Sequence, residues 1–297
     1  MKNLQEILKE SQKQRTKRLA VAASEDKDVL KAVIEAAELK IIEPILIGNI
    51  EKTQNIAKKL GLNIDNYEKI QKDSLEESAM TAVKLVSENK ADFVMKGLID
   101  TSILLKEVLN KNYGLRTENL LSHVMVYEIP TYHKLLMLTD GGMNITPGFD
   151  EKVGILKNAI NACKGLGYED IKVACLAAKE KVNPKMEATI DAKKLQELWS
   201  NNRDENVIVE GPLALDLAIS KEAALIKGYN SNIAGDTDVL LVPNIEMGNG
   251  IGKSLTYFAK AKSAGVIMGA KAPIVLVSRA DNHESKLNSI ALGSVIA

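Results

Sequence analysis

The chemically richest stretch lies near the C-terminal end, where Ile274–Ser289 reads IVLVSRADNHESKLNS. It brings the hydroxyl of Ser278, the guanidinium of Arg279 and the carboxylates of Asp281 and Glu284 into one short run. The β-branched, apolar segment Ile274–Val277 predicts a buried strand. Leu287, Ile290, Ala291 and Ser294 have helical spacing, so Lys286–Ala297 predicts a helix. A strand, a polar turn and a helix in that order set these groups around a helix N-terminus, whose free backbone N–H groups favour anions. The expectation is an anion-handling site built around Ser278 and Arg279. The blander roles are a capping serine and a salt-bridged arginine.

Other runs can be weighed by spacing. Glu246–Ser254 reads EMGNGIGKS, after a strand and ahead of a predicted helix from Lys253 to Ala264. Three residues separate Gly248 from Gly252-Lys253-Ser254 where a Walker loop has four, and GNGIG does not match GxGxxG. Nucleotide-loop readings therefore fail, while Gly248, Asn249 and Gly250 stay as candidates for close backbone approach to a ligand. The histidines His123, His133 and His283 are scattered, and no HxxxH, HExxH or CxxC occurs, so no metal centre is expected. His123, next to Ser122 at the head of a predicted strand, is the best placed of the three. Cys163 and Cys175 read as buried small hydrophobes.

The elements that must carry these residues alternate. Strands are predicted at Arg18–Ala23, Ile45–Gly48, Asp92–Met95, His123–Tyr127, Lys134–Thr139, Lys172–Leu176, Ile208–Glu210 and Asp238–Pro243. Helices are predicted between them, including one from about Glu25 capped by Ser24, and others at Glu51–Leu60, Leu75–Glu88, Ser102–Leu109, Asp150–Leu166, Ala188–Asn201 and Asp216–Lys227. This βαβα order predicts an α/β fold with mostly parallel sheets flanked by helices. The polar, glycine-rich run Asp140–Pro147 is where the chain is expected to cross between lobes. The domain expectation is a discontinuous first lobe, 1–140 plus 271–297, a second lobe, 141–270, and a site in the cleft between them.

The chain has 297 residues with equal numbers of basic and acidic side chains, 39 of each. That length favours two lobes over one core, and a net charge of zero supplies no global field for nucleic acid. No apolar run reaches the ~20 residues of a membrane span, and the charged start MKNLQEILKESQKQRTKRL lacks a secretory h-region. A cytoplasmic protein without nucleic-acid or membrane partners is expected.

The order of VIVEGPLALDLAIS (207–220), GDTDVLLVPNIEMGNGIGKSL (235–255) and VLVSRADNHESKLNSIAL (275–292) resembles the phosphate acetyl/butyryltransferases. KGLIDTSILLKEVL (96–109) and SHVMVYEIP (122–130) match first-lobe segments of the same family, and the likeness is strongest to its butyryl-specific branch. The resemblance implies an isocitrate/isopropylmalate dehydrogenase-like two-lobed fold without the nicotinamide site. It implies a homo-oligomer, no bound cofactor, and acyl-CoA and phosphate as substrates. It puts Ser278 and Arg279 in the active cleft. Acetyl-specific relatives carry an aspartate as base seven residues after the serine; that position is Ser285 here, which leaves Asp281 and Glu284 as candidate bases. Lys106 stands near the place of a first-lobe arginine. Substrate contacts are expected from Ser122, His123, Asp140, Gly141, Asn144, Lys106, Gly248, Asn249 and Gly250. Phosphate acetyltransferase and a non-catalytic CoA-binding regulator are the competing functions.

Overall fold

The computed structural model describes residues 1–201, 206–277 and 281–297. In chain order the elements are α1 (Leu4–Lys13), β1 (Lys17–Ala22), α2 (Lys27–Glu38), β2 (Ile42–Gly48), α3 (Ile50–Leu60), β3 (Glu68–Gln71), α4 (Leu75–Ser87), β4 (Phe93–Lys96), α5 (Thr101–Val108), β5 (Ser122–Glu128) and β6 (Leu136–Thr139). They continue with α6 (Phe149–Gly165), β7 (Ile171–Leu176), α7 (Glu187–Asn201), β8 (Val207–Leu213), α8 (Leu215–Ile219), α9 (Lys221–Ile226), β9 (Val239–Leu241), α10 (Ile245–Tyr257), β10 (Lys262–Met268), β11 (Ile274–Val275) and α11 (His283–Ile296). The chain is a mixed α/β protein with mostly parallel strand pairing and divides into two compact units.

One unit comprises Gln5–Leu120 and Ala264–Ala297. Its strands run in the order β3-β2-β1-β4-β11-β10, and all neighbours are parallel except β10 and β11. Leu19, Val21, Ile45, Ile47, Phe93, Met95 and Ile274 are fully buried, as expected where helices cover parallel strands on both faces. The last helix, α11, packs on α2, β4 and β11. It is buried from Lys286 to Val295, so polar residues such as Ser289 must find partners inside. Ser289 does so: its hydroxyl accepts from the Gly265 N–H at 2.9 Å and donates to the Ser285 carbonyl at 2.7 Å. Gly293 lets α11 lie close to the sheet, since a Cβ there would sit 2.8 Å from Val275 Cγ2 and 3.0 Å from Phe93 Cε2.

The other unit comprises Met1–Leu4 and Leu121–Ser263. Its strand order is β5-β6-β9-β7-β8, with β5 and β6 antiparallel and the rest parallel. Leu136, Leu138, Leu240, Val242, Ala174, Leu176 and Leu213 form its core with Leu217 and Ala224 of α8 and α9. The β5–β6 hairpin belongs here because β6 runs parallel to β9. The chain thus changes unit at Leu4–Gln5, at Leu120–Leu121 and again at Ser263–Ala264, whereas the sequence predicts crossings at 140/141 and 270/271.

Several expected elements are corrected. The largest change is α10: it spans Ile245–Tyr257, so Gly248, Asn249, Gly250 and Gly252 lie inside a helix and not in a loop before one. The predicted helix Lys253–Ala264 overlaps β10, a strand with no counterpart among the expected elements. Strand β3 has none either, because EKIQ is too short and too polar to show a strand pattern. The first long helix begins at Lys27, not Glu25, because Asp26 is the N-cap, its Oδ1 accepting from the Asp28 and Val29 N–H groups at 3.0 and 2.8 Å. The predicted helix 216–227 is broken at Ser220, whose Oγ caps α9 through the Ala223 N–H at 3.1 Å. The strand at Ile274 is shorter than expected, and α11 starts earlier, at His283.

Candidate active site

Asp140 organises the candidate residues of the unit holding β5–β9. It follows β6 and is 2% exposed. Its carboxylate accepts from the backbone N–H groups of His123 (3.1 Å), Gly142 (2.8 Å), Met143 (2.9 Å) and Asn144 (3.3 Å), and from the Asn144 side-chain amide (2.6 Å). A carboxylate has roughly four lone-pair sites, so these donors fill it. Asp140 therefore ties the turn 141–144 to the start of β5 and has no acceptor capacity left for a catalytic proton. Asn144 extends the tie, donating also to the Leu121 carbonyl at 2.9 Å.

The turn packs directly on α10. A Cβ on Gly141 would sit 2.8 Å from Gly248 C, and one on Gly248 would sit 2.6 Å from Gly141 Cα and 2.9 Å from the Asp140 carbonyl oxygen. Two glycines face each other because any side chain would force the turn off the helix. The Ile245 N–H donates to the Ile145 carbonyl at 3.0 Å and fixes the start of α10 to the same loop. A Cβ on Gly252 would come within 2.6 Å of the Tyr127 hydroxyl, whereas one on Gly250 would meet nothing within 4 Å. Gly248 and Gly252 are thus packing glycines, while Asn249 and Gly250 are exposed.

Ser122 and His123 occupy different environments. Ser122 is fully buried and its hydroxyl accepts from Asn158 Nδ2 at 2.8 Å, a partner in α6 that sequence spacing did not suggest. The His123 ring lies over Gly142, where a Cβ would be 2.6 Å from Nδ1. Its backbone carbonyl accepts from Thr139 Oγ1 at 2.9 Å. These residues, with Asp140, Gly141, Asn144 and Gly248, are brought together within one unit.

The remaining candidates lie in the unit that contains α11. Ser278 and Arg279 fall outside the described residues. Asp281 directly precedes the Asn282 N-cap, whose Oδ1 accepts from the Ser285 N–H at 2.9 Å. The buried Lys286 ammonium donates to the Asp281 backbone carbonyl, pinning the chain where it enters the helix. Glu284 sits in the first turn of α11, where a negative charge is favoured by the helix dipole. Lys106 is exposed in the last turn of α5.

Burial pushes the Cys163 thiol far above its ordinary range and that of Cys175 up to about 12, so neither forms a thiolate at neutral pH. Among the described residues, no group of three or more His, Cys, Asp or Glu is placed to hold a metal ion.

The phosphate acetyl/butaryl transferase family model matches residues 3–78 and 65–294. The chain belongs to that family. It is 42% identical over 297 residues to the phosphate butyryltransferase of Clostridium acetobutylicum, covering 100% of this chain and 99% of that protein. It is 41% identical over 292 residues to the phosphate acetyltransferase of Thermotoga maritima, covering 98% and 99%. Among solved structures, a branched-chain phosphotransacylase from Enterococcus faecalis superposes with a TM-score of 0.84 at 34% identity, covering 95% of this chain and 99% of that one. Family membership thus spans both units and includes every candidate residue named above. No helix among the described residues is long and apolar enough to cross a membrane.

Proposed function

We propose that this family member is a phosphate butyryltransferase, converting butanoyl-CoA and phosphate reversibly into butanoyl phosphate and CoA. The observation that carries the reading is the end-to-end match to the Clostridium acetobutylicum butyryltransferase. The similar score to an acetyltransferase means identity alone does not fix acyl length. The reading includes coenzyme A thioester and phosphate as substrates with no resident cofactor, an isocitrate/isopropylmalate dehydrogenase-like architecture and a cytoplasmic homo-oligomer. Apolar surface for assembly is available at Leu225, Ile226 and Phe258, which are 71%, 79% and 87% exposed.

In the forward direction a phosphate oxygen attacks the thioester carbonyl carbon. The tetrahedral oxyanion collapses, the C–S bond breaks, and the CoA sulfur leaves and takes up a proton. In reverse the CoA thiol must lose that proton while attacking butanoyl phosphate. A thiol near pKa 8.5 and an ordinary aspartate near 3.9 are mismatched by about 4.6 units, or roughly 6 kcal/mol. A carboxylate base therefore needs either a raised pKa or nearby positive charge that stabilises the thiolate. Arg279 is assigned that role and the holding of phosphate through its planar fork. Ser278 is assigned to the oxyanion, a contact worth roughly 3–4 kcal/mol. Asp281 and Glu284, at the entrance to α11, are the two proton acceptors to be separated. Asp140 is assigned a positioning role, since its oxygens are already filled.

The deciding experiment is phosphate-dependent CoA release across acyl-CoA chain lengths. A kcat/KM maximum at butanoyl-CoA is expected. A maximum at acetyl-CoA makes the protein an acetyltransferase, and CoA binding without turnover makes it a regulator. Arg279→Ala is expected to lower kcat and raise KM for phosphate together; wild-type kinetics in that variant overturn its assignment. Of Asp281→Asn and Glu284→Gln, the one that removes the acid limb of the pH–rate profile identifies the proton acceptor.

A further inference from the structure

A cavity of about 600 Å³ opens in the unit holding β1–β4. Its lining comes from the carboxyl edge of the parallel strands: Glu25 follows β1, Asn49 follows β2, Lys72, Asp73 and Ser74 follow β3, and Leu98 follows β4. That edge is where open α/β sheets hold ligands, and the volume suits a small-molecule pocket.

Its walls are chemically specific. Lys52, Asn55, Ile56 and Lys59 line the cavity from α3 at i, i+3, i+4 and i+7, a single helical stripe. Lys72 adds a third ammonium from the opposite connection. None of these three ammonium groups has a hydrogen-bond or carboxylate partner among the described residues, although the same unit pairs Lys13, Arg15, Arg18 and Lys90 with acids. The N-termini of α3 and α4 open on the same space through their caps Asn49 and Ser74. Three unpaired cations and two helix N-termini around one cavity make a site for several phosphate charges.

Two further features ask for more than phosphate. Glu25 Oε2 is shielded from water and accepts no hydrogen bond. A hidden carboxylate oxygen without a donor is costly, and a ligand hydroxyl would supply the donor, as ribose does for an acidic residue in many α/β nucleotide sites. Leu75 and Leu98 line the cavity yet are 36% and 43% exposed, and together with Ile56 they offer an apolar surface for a base.

We propose that this cavity binds a phosphorylated nucleoside, with Lys52, Lys59 and Lys72 taking the phosphates, Glu25 a ribose hydroxyl and the Ile56–Leu75–Leu98 wall the base. That chemistry has two sources, a free nucleotide or the nucleotide end of a CoA thioester; only the second rests on the acyltransferase reading. The test is calorimetric titration of the full chain with adenosine 3′,5′-bisphosphate, ADP and adenosine. Both phosphorylated probes are expected to bind at least tenfold more tightly than adenosine, and to weaken as salt rises. The triple variant K52Q/K59Q/K72Q is expected to lose at least tenfold in affinity with an unchanged melting temperature, and K52R/K59R/K72R to retain binding. Equal affinity in wild type and the glutamine variant overturns the proposal, as does failure of both phosphorylated probes to bind. If the glutamine variant also raises KM for butanoyl-CoA tenfold, the ligand is CoA. If KM is unchanged while nucleotide binding is lost, the ligand is a free nucleotide. A wild-type protein without acyl transfer defeats the acyltransferase reading and leaves the nucleotide titration standing.

Discussion

At the scale of single residues, Asp140 shows how a side chain can be indispensable without being reactive. Its buried carboxylate collects donors from β5 and from every residue of the turn Gly142–Asn144. Asp140→Asn replaces one acceptor oxygen with an NH₂ that faces those donors. Stability is expected to fall by about 2–3 kcal/mol, the cost of stranding buried polar groups beside a lost charge-assisted bond. Urea denaturation measures this, and an unchanged midpoint removes Asp140 as the anchor of the turn. A turn displaced in this way should also lower kcat. The residue was visible in the sequence as part of a polar, glycine-rich run. Its role was not, because four of its partners are backbone amides that any sequence possesses.

At the scale of elements, α10 separates local propensity from packing. Three glycines in seven positions argue locally against a helix, each costing roughly 0.5–1 kcal/mol relative to alanine. The helix forms because Asn244 caps it, its Oδ1 accepting from the Met247 N–H at 3.0 Å, and because Gly248 and Gly252 admit Gly141 and Tyr127 to close range. Gly248→Ala and Gly250→Ala should therefore have opposite signs. The first drives a methyl into the Gly141 backbone and is expected to destabilise by about 1–3 kcal/mol. The second, with open space around the new Cβ, is expected to stabilise by about 0.5–1 kcal/mol. Thermal melts of the two variants decide this, and a stabilising Gly248→Ala defeats the packing account.

At the scale of the whole molecule, a charge network ties strand ends together in the unit of β5–β9. Lys134 ahead of β6 pairs with Asp238 at 2.7 Å and with Asp236 at 2.9 Å. His133 reaches Asp236 at 2.8 Å, and Lys172 of β7 binds it as well. Partial burial pushes the Asp236 carboxyl up, but hydrogen bonds from Lys172, Lys134 and His133 outweigh it and hold the group well below the usual carboxylate range. A depressed folded-state pKa contributes stability that is complete above the unfolded value, near 3.9, declines below it and is lost as pH falls through the folded-state value. Asp236 is 42% exposed, so screening keeps the effect below about 1 kcal/mol. The difference in melting temperature between wild type and Asp236→Asn is expected to be full at pH 6 and to shrink progressively as pH falls from about 4 to about 2. A constant difference across that range excludes the network as its source.

The sequence by itself determined the alternation of strands and helices, because apolar periodicity and glycine or proline punctuation are local signals. It also determined family membership, carried by motifs in a fixed order from Lys96 to Leu292. It marked Asp140, Gly141, Asn144 and Gly248 as candidates without saying that they touch. Tertiary structure decided the rest. Edge strand β3 exists through its pairing with β2 and not through its own pattern. The glycines of α10 became helical because their missing side chains are replaced by a neighbouring backbone. Only the fold joins Lys52 and Lys59 of α3 to Glu25 and Lys72, from separate strand ends, around one cavity. Contacts distant in sequence leave no local periodicity, and it is such contacts that turn residue types into sites.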